Sequence, residues 1–351
     1  NYVKRGLKNR KSWIKGWNEY VKSPVLKIDI KNLNILDIKH LNKIFNVLDT
    51  RTNKNKHLQP GGTSNGLKYL RSFLEVRNKS YNQNISKPLE SRSSCSRLSP
   101  YLSWGNLSSR YVWQQAYESI KKGNSPFQIR SFLSRLRWNS HFIQRFEMEH
   151  SIEFGSVNRG YNDLKKKKVK KYYDSWENGE TGYPLVDASI VCLKTTGYLN
   201  FRMRSMIVSF LTHHLWQPWQ SATFFLAQNF LDFEPGIHYS QLQMQAGETG
   251  VNTIRIYNPT KNAIEKDKEA SFIKKWLPQL KEVPIPLIYE PWKMSEIEQS
   301  LFNCKIGKDY PKPIVDISQT RKFALEKLWS IRKIKKVKEE KQRILEKHIN
   351  T

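Results

Sequence analysis

Thr196-Gly197-Tyr198-Leu199-Asn200-Phe201-Arg202-Met203-Arg204 opens a helical pattern that runs to Trp216, with Leu199, Met203, Met206, Ile207, Phe210, Leu211 and Leu215 on one broad face. An apolar face that wide is buried over most of its circumference, so the segment belongs inside a helical bundle. Arg204 points into that environment. A buried guanidinium with no anion is costly, so the segment requires a carboxylate from elsewhere in the chain.

Working outward, Gly66 to Tyr81 reads as a helix with Leu67, Leu70, Phe73 and Leu74 inward and Lys68, Arg71 and Arg77 outward. Ser99 followed by Pro100 has the form of a helix N-cap and first turn, closed by Gly105, and Ser108 opens the next helix. Such a start offers free backbone N–H groups to a phosphate, although a Ser-Pro cap taken alone is nearly always only a cap. Phe127 to Glu147 repeats Ile129, Phe132, Leu133, Leu136, Phe142, Ile143 and Phe146 at helical spacing, with Arg130, Arg135, Arg137 and Arg145 among them. Asp163 to Lys171 is dominated by lysine and reads as a solvated loop or frayed turn. From Phe323 onward the pattern is a charged helix that frays after Lys335. The expected organisation is a basic connector over 1–64, an all-α multi-helix body over 65–321 and a charged C-terminal helix over 322–351.

The 60 Lys and Arg outweigh 31 Asp and Glu, for a formal charge of +29, which favours a polyanion such as nucleic acid as partner. Part of that excess is compositional, since Lys, Asn and Ile are abundant throughout. Cys95, Cys192 and Cys304 are too far apart for a zinc spacing or a disulfide framework and read as reduced thiols of a cytoplasmic protein, with Cys192 a small core residue. No run of about 20 apolar residues is present, so no membrane partner is expected.

Several motifs in order resemble the FAD-binding domain of the DNA photolyase/cryptochrome family. They are Ser96-Arg97-Leu98-Ser99-Pro100-Tyr101-Leu102-Ser103-Trp104-Gly105, Trp176-Glu177-Asn178-Gly179-Glu180-Thr181-Gly182-Tyr183-Pro184, Thr196 to Arg204, Leu231-Asp232-Phe233-Glu234, Arg255-Ile256-Tyr257-Asn258-Pro259 and Trp276-Leu277-Pro278-Gln279-Leu280. The resemblance implies non-covalent FAD held by Tyr81, Cys95, Ser96, Arg97, Leu98, Ser99, Arg135, Tyr198, Arg204, Asp232, Glu234 and His238, with Asp232 as the anion for Arg204. Cys95 stands where a threonine is usual. Trp138 matches the tryptophan on which a damaged base stacks, Arg135 replaces a usual glutamate, and His238 replaces a usual asparagine. These three are the candidate catalytic residues. Core packing remains open for Trp138, and a purely structural role for His238.

The same resemblance implies light-dependent repair of UV-damaged DNA, single-stranded DNA included, by a monomer that lacks the ligands of the family's iron–sulfur cluster. The alternative it leaves open is a blue-light photoreceptor without repair activity. Phe201 and Ser205 fall where (6-4) photolyases carry histidines, which argues against that lesion. Of the family's electron-feeding tryptophans only the middle one is matched, by Trp219; Leu242 takes the flavin-proximal place and the outer one falls near Lys166. The usual N-terminal antenna domain has no counterpart in the pattern before the motifs, and Asn1 suggests a trimmed chain.

Overall fold

The computed structural model describes residues 10–26 and 55–349. Most of the connector therefore lies outside the described residues, including the start of the polar segment 50–64. Among the described residues the secondary structure is helical, apart from one isolated bridge between Ile306 and Tyr310. The helices of eight or more residues are α1 (Arg10–Lys22), α2 (Thr63–Glu75), α3 (Ser109–Lys121), α4 (Pro126–Met148), α5 (Lys170–Asn178), α6 (Pro184–Thr196), α7 (Phe201–Ser209), α8 (Gln220–Asn229), α9 (Pro235–Gln245), α10 (Pro259–Lys266), α11 (Ile317–Arg332) and α12 (Lys335–Ile344). An all-α fold is what the sequence led us to expect.

Two hydrophobic cores organise these helices. The first gathers Trp13, Trp17, Phe73, Tyr81, Val112, Ile129 and Phe132 from α1 to the first half of α4. The second gathers Trp176, Ile190, Met203, Ile207, Phe210, Trp219 and Leu242 from α5 to α9. Two glycines permit the joints that bring the two together. Gly197 ends α6 at φ 64°, and a Cβ there would sit 2.5 Å from the Leu231 side chain, so the Leu231–Asp232 loop can close against it. Gly236, in the first turn of α9, would drive a Cβ to 2.7 Å from Ile143 Cα, which is why α9 can lie against α4.

Local order departs from the sequence reading in five places. The helix expected over 66–81 ends at Glu75, because Asn78 turns inward and donates to the carbonyls of Phe73 and Leu74 at 2.7 Å each, and a 3-10 turn (Arg77–Ser80) follows. Arg77, expected on the outer face, is half-buried and donates to the carbonyls of Tyr69, Cys95 and Ser96. Ser99 is not an N-cap: it begins a five-residue helix (Ser99–Ser103) whose cap position is Leu98 and makes no side-chain bond. Ser108 does cap α3, accepting from the Tyr111 N–H at 3.1 Å.

The fourth departure is in the lysine-rich segment. Lys166 has 3% of its side chain exposed and pairs with Glu248 at 3.0 Å, donates to Thr212 O and lies 4.5 Å from the Trp216 ring. The fifth is the described C-terminal segment, which stays helical through Ile349 where fraying was expected after Lys335. The helix is interrupted between α11 and α12, and Arg343 and His348 beyond the interruption reach Glu149 at 2.7 and 2.5 Å. The helix expected from 322 also begins earlier, at Ile317, where Asp316 caps it.

Candidate functional site

A cavity of about 880 Å³ opens between the two cores. That is toward the upper end for a small-molecule or cofactor site. Its wall includes all twelve of the residues named as flavin contacts, and Trp138 besides. Elements distant in sequence bring them together: the turn at Tyr81, the loop Cys95–Ser99, α4, the start of α7, the Leu231–Glu234 loop and α9.

The loop Cys95–Ser99 is fixed from behind. Arg77 holds the Cys95 and Ser96 carbonyls, and Gln59 donates to Arg97 O at 2.8 Å. Arg97 takes φ 58°, a left-handed conformation unfavourable for a residue with a Cβ, and its guanidinium lies 3.7 Å over the Tyr198 ring. Its Nε is buried with no partner, and burial lowers the Arg97 pKa. Burial likewise pushes the Cys95 thiol up to about 11, so it is an uncharged wall residue at neutral pH.

Arg204 meets Asp232 at 2.8 Å, as expected, and also donates from Nε to Leu199 O. The pair is positioned on both sides. Asn200 caps α7 and donates to Ile85 O and Lys87 O, while the Leu231–Asp232 backbone is held by Gly197 O, Ser103 Oγ and Trp104 Nε1. Asp232 has 5% of its side chain exposed, and its second oxygen, Oδ1, is buried with no partner. A buried carboxylate oxygen left unpaired is costly, so this one is built to accept from a ligand.

Two residues after Asp232, Glu234 caps α9 through the Gly236 N–H at 3.3 Å, and burial raises its pKa. His238 Nε2 lies 3.0 Å from Thr223 O, so that nitrogen carries the proton, and burial lowers the His238 pKa to about 4. The imidazole is neutral at physiological pH. Tyr81 is buried, and burial raises its phenol pKa against a hydrogen bond from Arg135.

The mouth belongs to α4 and to residues that the sequence reading missed. Trp138 is 41% exposed, with His141 and Phe142 at ring distances of 5.1 and 5.9 Å. Trp13 of α1 donates to Gln144 Oε1 at 2.7 Å and sets its ring edge-on to His141. Lys347 and His348 also line the cavity, beside Glu149, whose carboxyl is held down at about 2 by His348 and Arg343 against its own burial. Trp13, with Trp17 and Tyr20, stands out in the sequence as an early aromatic cluster, but nothing local assigns it to the mouth. Leu242 and Met244 line the cavity as well, whereas Trp219 is fully buried away from it and donates to Ser156 Oγ at 3.4 Å. Among the described residues no group of His, Cys, Asp and Glu is arranged to hold a metal, and no helix is long and apolar enough to cross a membrane.

A helical bundle with a cofactor-sized, arginine-lined cavity between two cores defines a class, and comparison with known proteins gives the family. Residues 132–330 match the family model described as the FAD binding domain of DNA photolyase. The chain is 33% identical over 266 residues to a deoxyribodipyrimidine photo-lyase of Alkalihalophilus pseudofirmus, covering 75% of this chain and 54% of that protein. It is 31% identical to a cryptochrome DASH of Gloeobacter violaceus, covering 74% and 52%. In fold it is similar to a bacterial class III photolyase from Agrobacterium tumefaciens, with TM-score 0.74 and 22% identity over 89% of this chain and 63% of that one. The chain belongs to the DNA photolyase/cryptochrome family and carries its FAD-binding domain. It spans about half the length of the curated relatives it matches.

The residues present fit FAD. Arg97, Arg135 and Arg204 are among the cavity's several cationic side chains, which outnumber its carboxylates, Asp232 and Glu234, and this suits an anionic diphosphate. The unpartnered Arg97 Nε and Asp232 Oδ1 leave one donor and one acceptor for it to use.

Proposed function

We propose that this chain holds FAD in the cavity and uses it to split cyclobutane pyrimidine dimers in UV-damaged DNA under light. When bound, FAD supplies the absorption of light and the one-electron chemistry. Ser96, Arg97, Leu98 and Ser99, with Cys95 beside them, bind the diphosphate by backbone N–H groups, hydroxyls and the guanidinium. Arg204 and Asp232 orient the ring system, with Tyr81, Tyr198 and Glu234 closing the wall around it. His238, neutral and hydrogen-bonded to Thr223 O, presents an uncharged edge that neither adds nor removes a proton between pH 5 and 8. Trp138 offers an exposed face on which a flipped base can stack, and Arg135 beside it can neutralise a phosphate. Flipping costs a few kcal/mol, least for damaged or single-stranded DNA.

The observation that carries this reading is the convergence of every named contact on one cavity, where the buried Asp232 Oδ1 is left without a partner. The test is to purify the chain, reconstitute it with FAD, and illuminate it with an oligonucleotide containing one dimer. A colourless protein that takes up no FAD, or a yellow one that leaves the dimer intact, refutes it. A second reading, a photoreceptor without repair, is favoured by Arg135 in place of the expected carboxylate at the mouth; the yellow but inactive outcome would support it.

A further inference from the structure

On the face of α4 next to the one that carries Trp138, a smaller cleft of about 320 Å³ lies between α1, α3 and α4, lined in part by Asn18, Trp113, Tyr117, Arg130, Ser134 and Arg137. Trp113 and Tyr117, four residues apart on α3, lie parallel within 9° at 5.0 Å, and Tyr117 is 42% exposed. Arg137 sits 5.3 Å from the Trp17 ring, with its Nε buried and unpartnered, and Trp17 Nε1 is unpartnered too. Among the described residues no acidic side chain lines this cleft. Neither the flavin cavity nor the proposed repair reaction uses any of these residues.

We propose that this cleft is a second nucleic-acid site, which takes an unstacked nucleotide of a single strand leaving the main cavity. Exposed aromatic faces stack on any base, and guanidinium groups beside them take the phosphate, so the pair recognises a strand without reading its sequence. The helix supplies the track. Arg130, Ser134 and Arg137 share one face of α4 at i, i+4 and i+7, while Arg135, Trp138 and Phe142 share the adjoining face at the main mouth. Arg137 and Trp138 are sequence neighbours, so the two sites adjoin, and Arg130 lies about 12 Å along the axis from Trp138, within the reach of a few nucleotides. The inference rests on the DNA-binding reading above and adds a place for the flanking strand.

The experiment compares two fluorescein-labelled oligothymidylates, each with one cyclobutane dimer. One is too short to leave the main mouth, and the other is long enough to reach the cleft. The variant combines Tyr117→Ala with Arg130→Ala, both exposed, and circular dichroism checks its fold. We expect the long strand to bind about tenfold more weakly, with its salt slope reduced by about one. The short strand should be unchanged, and Tyr117→Phe alone should keep most of the long-strand affinity because it keeps the ring. Equal loss for both lengths, or loss for neither, overturns the cleft while leaving the main site standing. A parent chain that binds neither strand overturns the DNA-binding reading itself, and the cleft with it.

Discussion

Two ion pairs, Lys166 with Glu248 and Arg204 with Asp232, are built differently. Lys166 and Glu248 complete each other: the ammonium also donates to Thr212 O and lies against the Trp216 ring, and the carboxylate also accepts from Ser156 Oγ at 3.2 Å. Arg204 and Asp232 do not. Arg204 keeps 24% of its side chain exposed and Asp232 Oδ1 has no partner. A closed pair has nothing left to offer a ligand and can only hold the fold. An open pair carries an unmet hydrogen bond, which a bound group can satisfy.

The sharpest way to break this comparison is to remove one member of each. Lys166→Met leaves Glu248 charged in a dry site, and the expected loss is about 3–5 kcal/mol of stability, measured by urea unfolding at neutral pH. Flavin content per folded molecule should not change. Asp232→Ala should do the reverse. Arg204 can reach solvent, so stability should fall by only about 1 kcal/mol, while FAD binding loses about 2 kcal/mol, or roughly thirtyfold in Kd, measured by flavin fluorescence. A Lys166→Met chain that stays as stable as the parent but loses flavin would invert the assignment.

A third pair sharpens the contrast by its pH dependence. Glu149, bridged by Arg343 and His348, has its carboxyl held at about 2. Its folded pKa lies below the ordinary value of about 4.5, so the ion pairs contribute fully above that pH. The contribution is lost as pH falls from about 4.5 toward 2. The melting temperature of the parent should therefore drop more between pH 5 and pH 3 than that of Glu149→Gln, which starts lower and has no carboxylate to protonate. Parallel curves for the two proteins would show that the C-terminal segment is not tied down by this charge.

The open pair was legible in sequence and the closed pair was not. Arg204 stood alone in an apolar pattern, which by itself demands a partner, and the Leu231–Asp232 motif named one. Lys166 sat in a run of lysines, where composition points to solvent, and Glu248 lies 82 residues further on with nothing local to mark it. Arg77 failed for a related reason: helical periodicity put it outside, but the helix ends before it, because one asparagine side chain bonds back to two carbonyls. Helices announced by apolar spacing were found, but their ends lay up to six or seven residues from where periodicity put them. Polar side chains that work through long-range hydrogen bonds leave no periodic trace.

The smallest expected effect concerns electron supply to the cavity, and it depends on which residues line the cavity and which lie near the closed pair. Leu242 lines the cavity wall, a leucine cannot be oxidised, and Lys166 occupies the region where an outer aromatic residue was expected. Trp219 is fully buried, bonded to Ser156 Oγ, and has no place in the cavity wall. Tyr239 is the better placed aromatic residue: its ring lies 5.3 Å from that of His238, which lines the cavity, and its hydroxyl donates to Glu153 at 2.9 Å, a ready acceptor for the proton that an oxidised tyrosine releases. Under blue light with an external thiol, Trp219→Phe should reduce its flavin nearly as fast as the parent, and Tyr239→Phe should be slower by a few fold. Leu242→Trp should be faster, provided the larger ring is accepted where Leu242 is now 3% exposed. Fast reduction in the parent that disappears in Trp219→Phe alone would mean that electrons pass through the closed side of the core after all.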